Sequence, residues 1–140
     1  MRHLISLALA LALALVTTQA AAAPPRAVDG DTLAVDGERV RLLGIDAPEL
    51  HGRCGAEKAA ARAAQAALAR LVAPPARLSL QRHGRDRYGR TLARVLADGR
   101  DVAATLLAAG HARPYAGGRR PGWCQPSTPE PSTPEPRRTK

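Results

Sequence analysis

The chain has 140 residues, enough for one small domain, and its two cysteines, with no CxxC pair and no His-rich spacing, exclude a multi-cysteine metal scaffold. Lysine and arginine outnumber aspartate and glutamate by 21 to 12, a formal net charge of +9, and nineteen of the basic residues are arginine, whose planar fork suits phosphate. This balance points to nucleic acid or an anionic membrane surface as partner, with a solubilising surface as the bland alternative.

Residues 1–23 read as a secretory leader: a basic start at Arg2, an apolar run from Leu4 to Val16, then small residues. The run falls short of the roughly twenty residues that span a bilayer, so no stable membrane anchor is expected. Cleavage between Ala20 and Ala23 would remove Arg2, leave a charge of +8, and send the chain to the periplasm or the medium. In an exported protein an even cysteine count implies that Cys54 and Cys124 are bridged.

In the predicted domain, residues 24–124, Thr32–Val35 alternates, Asp36-Gly37 is a hairpin turn, and Arg39–Leu43 follows as a second strand. GIDAPELHGRCG has turn chemistry throughout and reads as a loop. Ala56–Val72 is rich in helix formers and stops at Pro74-Pro75, with Leu68, Leu71 and Val72 as its expected buried anchors. Arg77–Gln81 reads as a strand, HGRDRYG as a loop, and Thr91–Leu96 as a strand ending at Asp98-Gly99. Asp101 is the expected N-cap of a second helix over VAATLLAA, with Gly110 at its C-terminal end. Residues 125–140, with PSTPE in tandem, read as a disordered, extended tail. The predicted fold is α+β: a small five-stranded OB-type β-barrel with two helices.

Three segments carry the chemistry: VDGDT with Asp29 and Asp31, RLLGIDAPE with Arg41, Asp46 and Glu49, and DRYGR with Asp86, Arg87, Tyr88 and Arg90. In order and spacing they resemble the staphylococcal-nuclease (thermonuclease-like) family, over about Val28 to Tyr115. Phosphodiester hydrolysis needs positive groups where charge develops, which Arg41 and Arg90 can supply. It gains from a hard cation held by carboxylates, for which Asp31 and Asp46 qualify, and from a carboxylate on the attacking water, for which Glu49 is the candidate.

The resemblance implies calcium bound by Asp31, Asp46 and the backbone carbonyl of Ala47. It implies that Arg41 bridges to the phosphate, that Arg90 stabilises the developing charge or the leaving 5′-oxygen, and that Arg87, Tyr88 and Tyr115 contact the neighbouring phosphate or a base. The expected substrates are DNA and RNA, preferably single-stranded, the expected product ends in 3′-phosphate, and the expected state is a monomer.

Taken singly, each residue has a blander reading: Asp31 as a turn former, Arg41 as a surface charge on a strand, Glu49 as a turn start, Arg90 as a loop charge. Asp29 reads as holding its own turn through its side chain, His51 and His83 as loop residues, and Trp123 as a packing lid at the chain's end. The functional alternatives are a noncatalytic nucleic-acid-binding module on the same barrel and a basic envelope structural protein. The acids favour the enzyme, since they would repel phosphate without a metal. Two departures from the family stand out: the first strand is very short, and the archetype's last helix is missing. The expected replacement for that helix is a Cys54–Cys124 bridge that ties the loop after Glu49 to the chain's end.

Overall fold

A computed structural model describes residues 23–124; residues 1–22 of the leader and the PSTPE tail fall outside the described residues. Its elements run in the order β1 (Arg26–Ala27), β2 (Thr32–Val35), β3 (Glu38–Leu42), β4 (Ile45–Asp46), α1 (Gly55–Val72), β5 (Leu78–Arg85), β6 (Thr91–Ala97), β7 (Arg100–Asp101), α2 (Val102–Ala108) and β8 (Arg113–Pro114).

The β2–β3 hairpin forms where the turn residues place it. Asp36 and Gly37 both take positive φ, 51° and 76°, the mirror-image turn whose twist matches the strands it joins. The main sheet runs β1-β2-β3-β6-β5, with β7 added beside β6. All its pairings are antiparallel except β3 with β6.

Three expectations need correction. The sheet does not close into a five-stranded barrel: the two-residue β1 and the long β5 lie at opposite ends of the ladder, and β4 leaves it to pair with β8 in a separate two-stranded sheet. Second, β5 runs through Arg85, well into the segment read as a loop. Its outer half has no apolar face and is carried instead by pairing to β6 and by the Arg82–Glu38 ion pair at 3.0 Å. Third, Leu71 is only half-buried, whereas Leu68 and Val72 are buried as expected.

The core gathers Leu33, Val40 and Leu42 from the hairpin, Ile45 from β4, Leu68 and Val72 from α1, Val95 from β6, and Val102 and Leu106 from α2. Each large side chain here contributes roughly 1.5–3 kcal/mol by leaving water. Helix α1 lays a stripe of Ala61, Ala64, Ala67, Leu68 and Val72 against it. Cys54, the N-cap, offers no side-chain cap. Glu57 folds back instead to accept the Arg53 N–H at 2.8 Å, one residue ahead of the cap, and ties the entering chain to the first turn. Gly52 makes room for it, since a Cβ there would lie 2.3 Å from the Glu57 carboxyl carbon. Asp101 caps α2 as expected by accepting the Ala104 N–H at 3.1 Å.

The small size of the α1 stripe positions the site. A Cβ on Gly30 would lie 2.7 Å from both Ala47 Cβ and Ala64 Cβ, so only glycine lets the Asp29–Asp31 turn wedge between helix and loop. Gln65 secures that turn from the helix by donating its amide to the Val28 carbonyl at 2.8 Å.

Candidate active site

Asp31 stands at the entry to β2, and Arg41 lies opposite Thr32 across the hairpin. Arg41 is 5 % exposed; its Nη1 lies 2.7 Å from Asp31 Oδ2, and its Nη2 donates to the Ile45 carbonyl at 3.1 Å. The bland reading of Arg41 as a surface charge is therefore overturned. The Nη1 approach to Asp31 is close but misaligned, and Nη1 is the one buried side-chain polar atom among the described residues without a hydrogen-bond partner. Burial pushes the Asp31 carboxyl up to about 6 against the opposing pull of Arg41 and of the Ala47 N–H, which donates to Oδ2 at 3.0 Å. Asp29 accepts the Asp31 N–H at 3.0 Å and so holds its own turn, as its sequence suggests.

Thr32 connects this pair to the second arginine. Its hydroxyl donates to Asp31 Oδ1 at 3.2 Å and accepts from Arg90 Nη1 at 3.4 Å. Arg90 is aimed by Asp86, which accepts its backbone N–H at 3.0 Å and its Nε at 2.7 Å. Desolvation is the largest single effect on the Asp86 carboxyl and raises it, but these bonds together with the Arg90 charge outweigh it and hold the carboxyl below its ordinary range. Tyr88, at the tip of the same turn, is 68 % exposed, with the Arg87 guanidinium 4.8 Å and that of Arg90 5.6 Å from its ring centre.

Asp46 lies in β4, directly opposite Arg113 in β8. It is 1 % exposed, and its Oδ2 accepts from Arg113 Nε at 3.1 Å and Nη2 at 2.8 Å and from Trp123 Nε1 at 3.2 Å. Arg120 Nε lies 3.3 Å from Asp46 Oδ1, and Arg120 Nη1 lies 3.3 Å from Glu49 Oε1. Trp123 is thus more than a packing lid: its indole edge is a ligand of the buried acid.

Sequence reasoning missed Arg113 and Arg120. Neither lies in a motif, and the ladder joining β8 to β4 left no local signal. The segment bearing Arg120 and Trp123 is held down by the Cys54–Cys124 disulfide, and by Arg113, which donates to the carbonyls of Pro121 and Gly122. The sulfurs near Glu57 belong to this bridge, so they are not metal-ligating thiolates.

Asp31, Arg41, Asp46, Ala47, Glu49, Arg90 and Tyr88 thus come from three loops and two strands to one region. A groove of about 1120 Å³ is lined by Arg39, Arg41, Arg87, Arg90 and Arg120, together with Glu49, Tyr88 and Tyr115. An adjoining cavity of about 320 Å³ lies against Asp46 and Ala47. Asp31 and Asp46 are poorly solvated carboxylates, oxygen donors of the kind a hard divalent cation takes, and here their oxygens are engaged by Arg41 and the Ala47 N–H on one side and by Arg113, Trp123 and Arg120 on the other.

An arginine-lined groove lies next to the buried Asp31 and Asp46 on a basic α+β domain, a charge arrangement suited to an anionic chain. The family model for staphylococcal nuclease homologues matches residues 39–126, and the chain belongs to that family. It is 39 % identical over 114 residues to the succinoglycan biosynthesis protein ExoI of Rhizobium meliloti (strain 1021), covering 70 % of this chain and 56 % of that protein. It is 37 % identical over 75 residues to the thermonuclease of Staphylococcus intermedius, covering 50 % of this chain and 45 % of that one. The chain therefore matches about half the length of each of these relatives.

Proposed function

We propose that this protein is an exported, calcium-dependent nuclease that hydrolyses phosphodiester bonds of DNA and RNA, acts on single strands in preference, leaves 3′-phosphate ends, and works as a monomer. The observation that carries the reading is Arg41: a buried guanidinium on the wall of an arginine-lined groove, whose Nη1 lies 2.7 Å from Asp31 Oδ2 without a well-aligned hydrogen bond. A buried donor whose one close contact is misaligned keeps bonding capacity that a phosphate oxygen in the groove would use.

In this reading Asp31, Asp46 and the Ala47 carbonyl hold the ion. Bound there, calcium polarises a phosphate oxygen and offsets its charge. Arg41 grips the scissile phosphate from below. Glu49, whose side chain is 62 % exposed, orients or deprotonates the water that attacks phosphorus. As the bond to the 5′-oxygen breaks, Arg90 stabilises the charge on the departing group, its aim fixed by Asp86. Tyr88 offers an exposed ring on which a base can stack, and with Arg87 and Tyr115 it contacts the next nucleotide. The disulfide supports an oxidising compartment, consistent with export directed by residues 1–23.

A second reading, a noncatalytic binding module, draws support from the donors that crowd Asp46. One assay separates the two. Purified protein is incubated with single-stranded DNA in calcium and then in chelator, alongside Glu49→Gln and Arg90→Ala. Cleavage should require calcium and fall by about 10²-fold or more in each variant. Arg41→Lys, which keeps the charge but loses the fork, should also lose most of its rate. Turnover in chelator, or undiminished rates in the variants, overturns the mechanism; binding without turnover favours the module.

A further inference from the structure

The two oxygens of Asp46 are held in different ways. Oδ2 belongs to the scaffold: Arg113 grips it with two nitrogens, its ring-stacked partner Trp123 adds a third donor, and the Arg113 guanidinium lies 4.2 Å from the Trp123 ring centre. Oδ1 is met by Arg120 alone among the described residues, at 3.3 Å, the long end of the hydrogen-bond range. The same guanidinium reaches Glu49 at 3.3 Å. One cation therefore bridges the acid that would hold the ion and the acid that would act on water.

Arg120 is also the residue free to leave. Its side chain is 38 % exposed against 25 % for Arg113, and among the described residues no carbonyl anchors it as Pro121 and Gly122 anchor Arg113. Its guanidinium lies 5.2 Å from the Tyr115 ring centre, and it lines both the cavity beside Asp46 and the arginine groove. The disulfide at Cys124, four residues on, keeps it within reach of both.

We infer that Arg120 is a shared positioning residue that serves the acids and the substrate in turn. Without an ion it neutralises Asp46 and Glu49. With a divalent cation held at Asp46, Arg120 would be released from that acid, and its guanidinium would reach past Tyr115 into the groove and add to the grip of Arg41 and Arg90 on a phosphate. Ion entry thereby frees Glu49 for water and completes the phosphate site in one movement. The identity of the incoming phosphate rests on the nuclease reading.

The prediction is unusual in sign, because losing Arg120 should tighten the ion and loosen the substrate. The chain's single tryptophan, Trp123, lies against Asp46 and can sensitise terbium luminescence, so terbium serves as the ion probe without any turnover. In the full chain, Arg120→Ala should bind terbium about tenfold more tightly, whereas Arg119→Ala, the same charge change one residue away, should stay within about twofold. In a Glu49→Gln background saturated with calcium, Arg120→Ala should bind a single-stranded oligodeoxynucleotide about tenfold more weakly, and Arg120→Lys should recover part of that loss. Unchanged or weakened terbium binding in Arg120→Ala overturns the inference. So does tighter terbium binding with unchanged oligonucleotide affinity, or an Arg119→Ala effect as large as that of Arg120→Ala. If the two affinities move in opposite directions while the wild type cleaves nothing, the nuclease reading falls and the shared role stands. If the wild type cleaves with calcium while terbium affinity ignores Arg120, the reverse holds.

Discussion

Arg41 meets Asp31 inside the hairpin with 2.7 Å between Nη1 and Oδ2, and both side chains are at most a tenth exposed. Removing one partner of such a pair strands a charge in a poorly solvated place, at a cost of roughly 3–5 kcal/mol. Arg41→Met should therefore lose about 3 kcal/mol in chelator at pH 8. At pH 5 the loss should shrink, because Asp31 then takes up a proton and no charge is stranded. Urea denaturation at the two pH values decides it: equal losses would mean that the pair contributes packing alone.

The pH dependence of the metal-free protein follows from four acids. Asp31, raised from 3.8 to about 6, binds its proton more tightly folded than unfolded. Its contribution is fully present below 3.8 and is lost as pH rises through about 6. Glu38, Asp86 and Asp101 are shifted the other way: Glu38 by its bonds from Thr91 and Arg82, the two aspartates by arginine and backbone donors that outweigh desolvation. Their contributions hold above their ordinary values of 4.5, 3.8 and 3.8 and are lost as pH falls below them. Stability in chelator should peak between about 4 and 6 and decline on both sides. Asp31→Asn should flatten the alkaline limb and leave the acid limb in place. If calcium binds as proposed, its apparent affinity should weaken below about pH 6, where it competes with the Asp31 proton, and calorimetric titration would read that directly.

The disulfide spans 70 residues, and closing so long a loop is worth about 4 kcal/mol in the chain-entropy model. Thermal unfolding with and without reductant should show a fall of at least ~10 °C, which Cys54→Ser with Cys124→Ser should reproduce. A shift of a degree or two would mean that the chain's end is held by Arg113 and Trp123 without need of the bridge.

Gly30→Ala tests how tightly helix and site are coupled. The added methyl meets Ala47 Cβ and Ala64 Cβ at 2.7 Å, so either α1 or the acid-bearing loop must move. The expected cost is about 1–3 kcal/mol of stability, together with a loss of DNA cleavage larger than that destabilisation explains. Pairing it with Ala64→Gly, which removes one of the two clashes, should restore part of both. Failure of that rescue would place the constraint at Ala47.

The hairpin, both helices, the stop of α1 and the caps of α2 were legible in the sequence, because their signals lie within a few residues: Asp36-Gly37, Pro74-Pro75, Asp101, Gly110. The motif residues Asp31, Arg41, Asp46, Glu49 and Arg90 stood out in the sequence as a set, since their types suit phosphate chemistry and their order and spacing resemble the nuclease family. The tertiary structure alone decided that the sheet stays open, that β5 runs on through an arginine-rich stretch without an apolar face, and that Arg41 is buried. It also decided who faces Asp46. Arg113 stands 67 residues away along the chain and Trp123 77, and only the β4–β8 pairing and the disulfide bring them there. Sequence patterns report what neighbours along the chain require of one another. The charge balance at a buried carboxylate depends on partners that only long-range strand pairing and a covalent bridge can deliver.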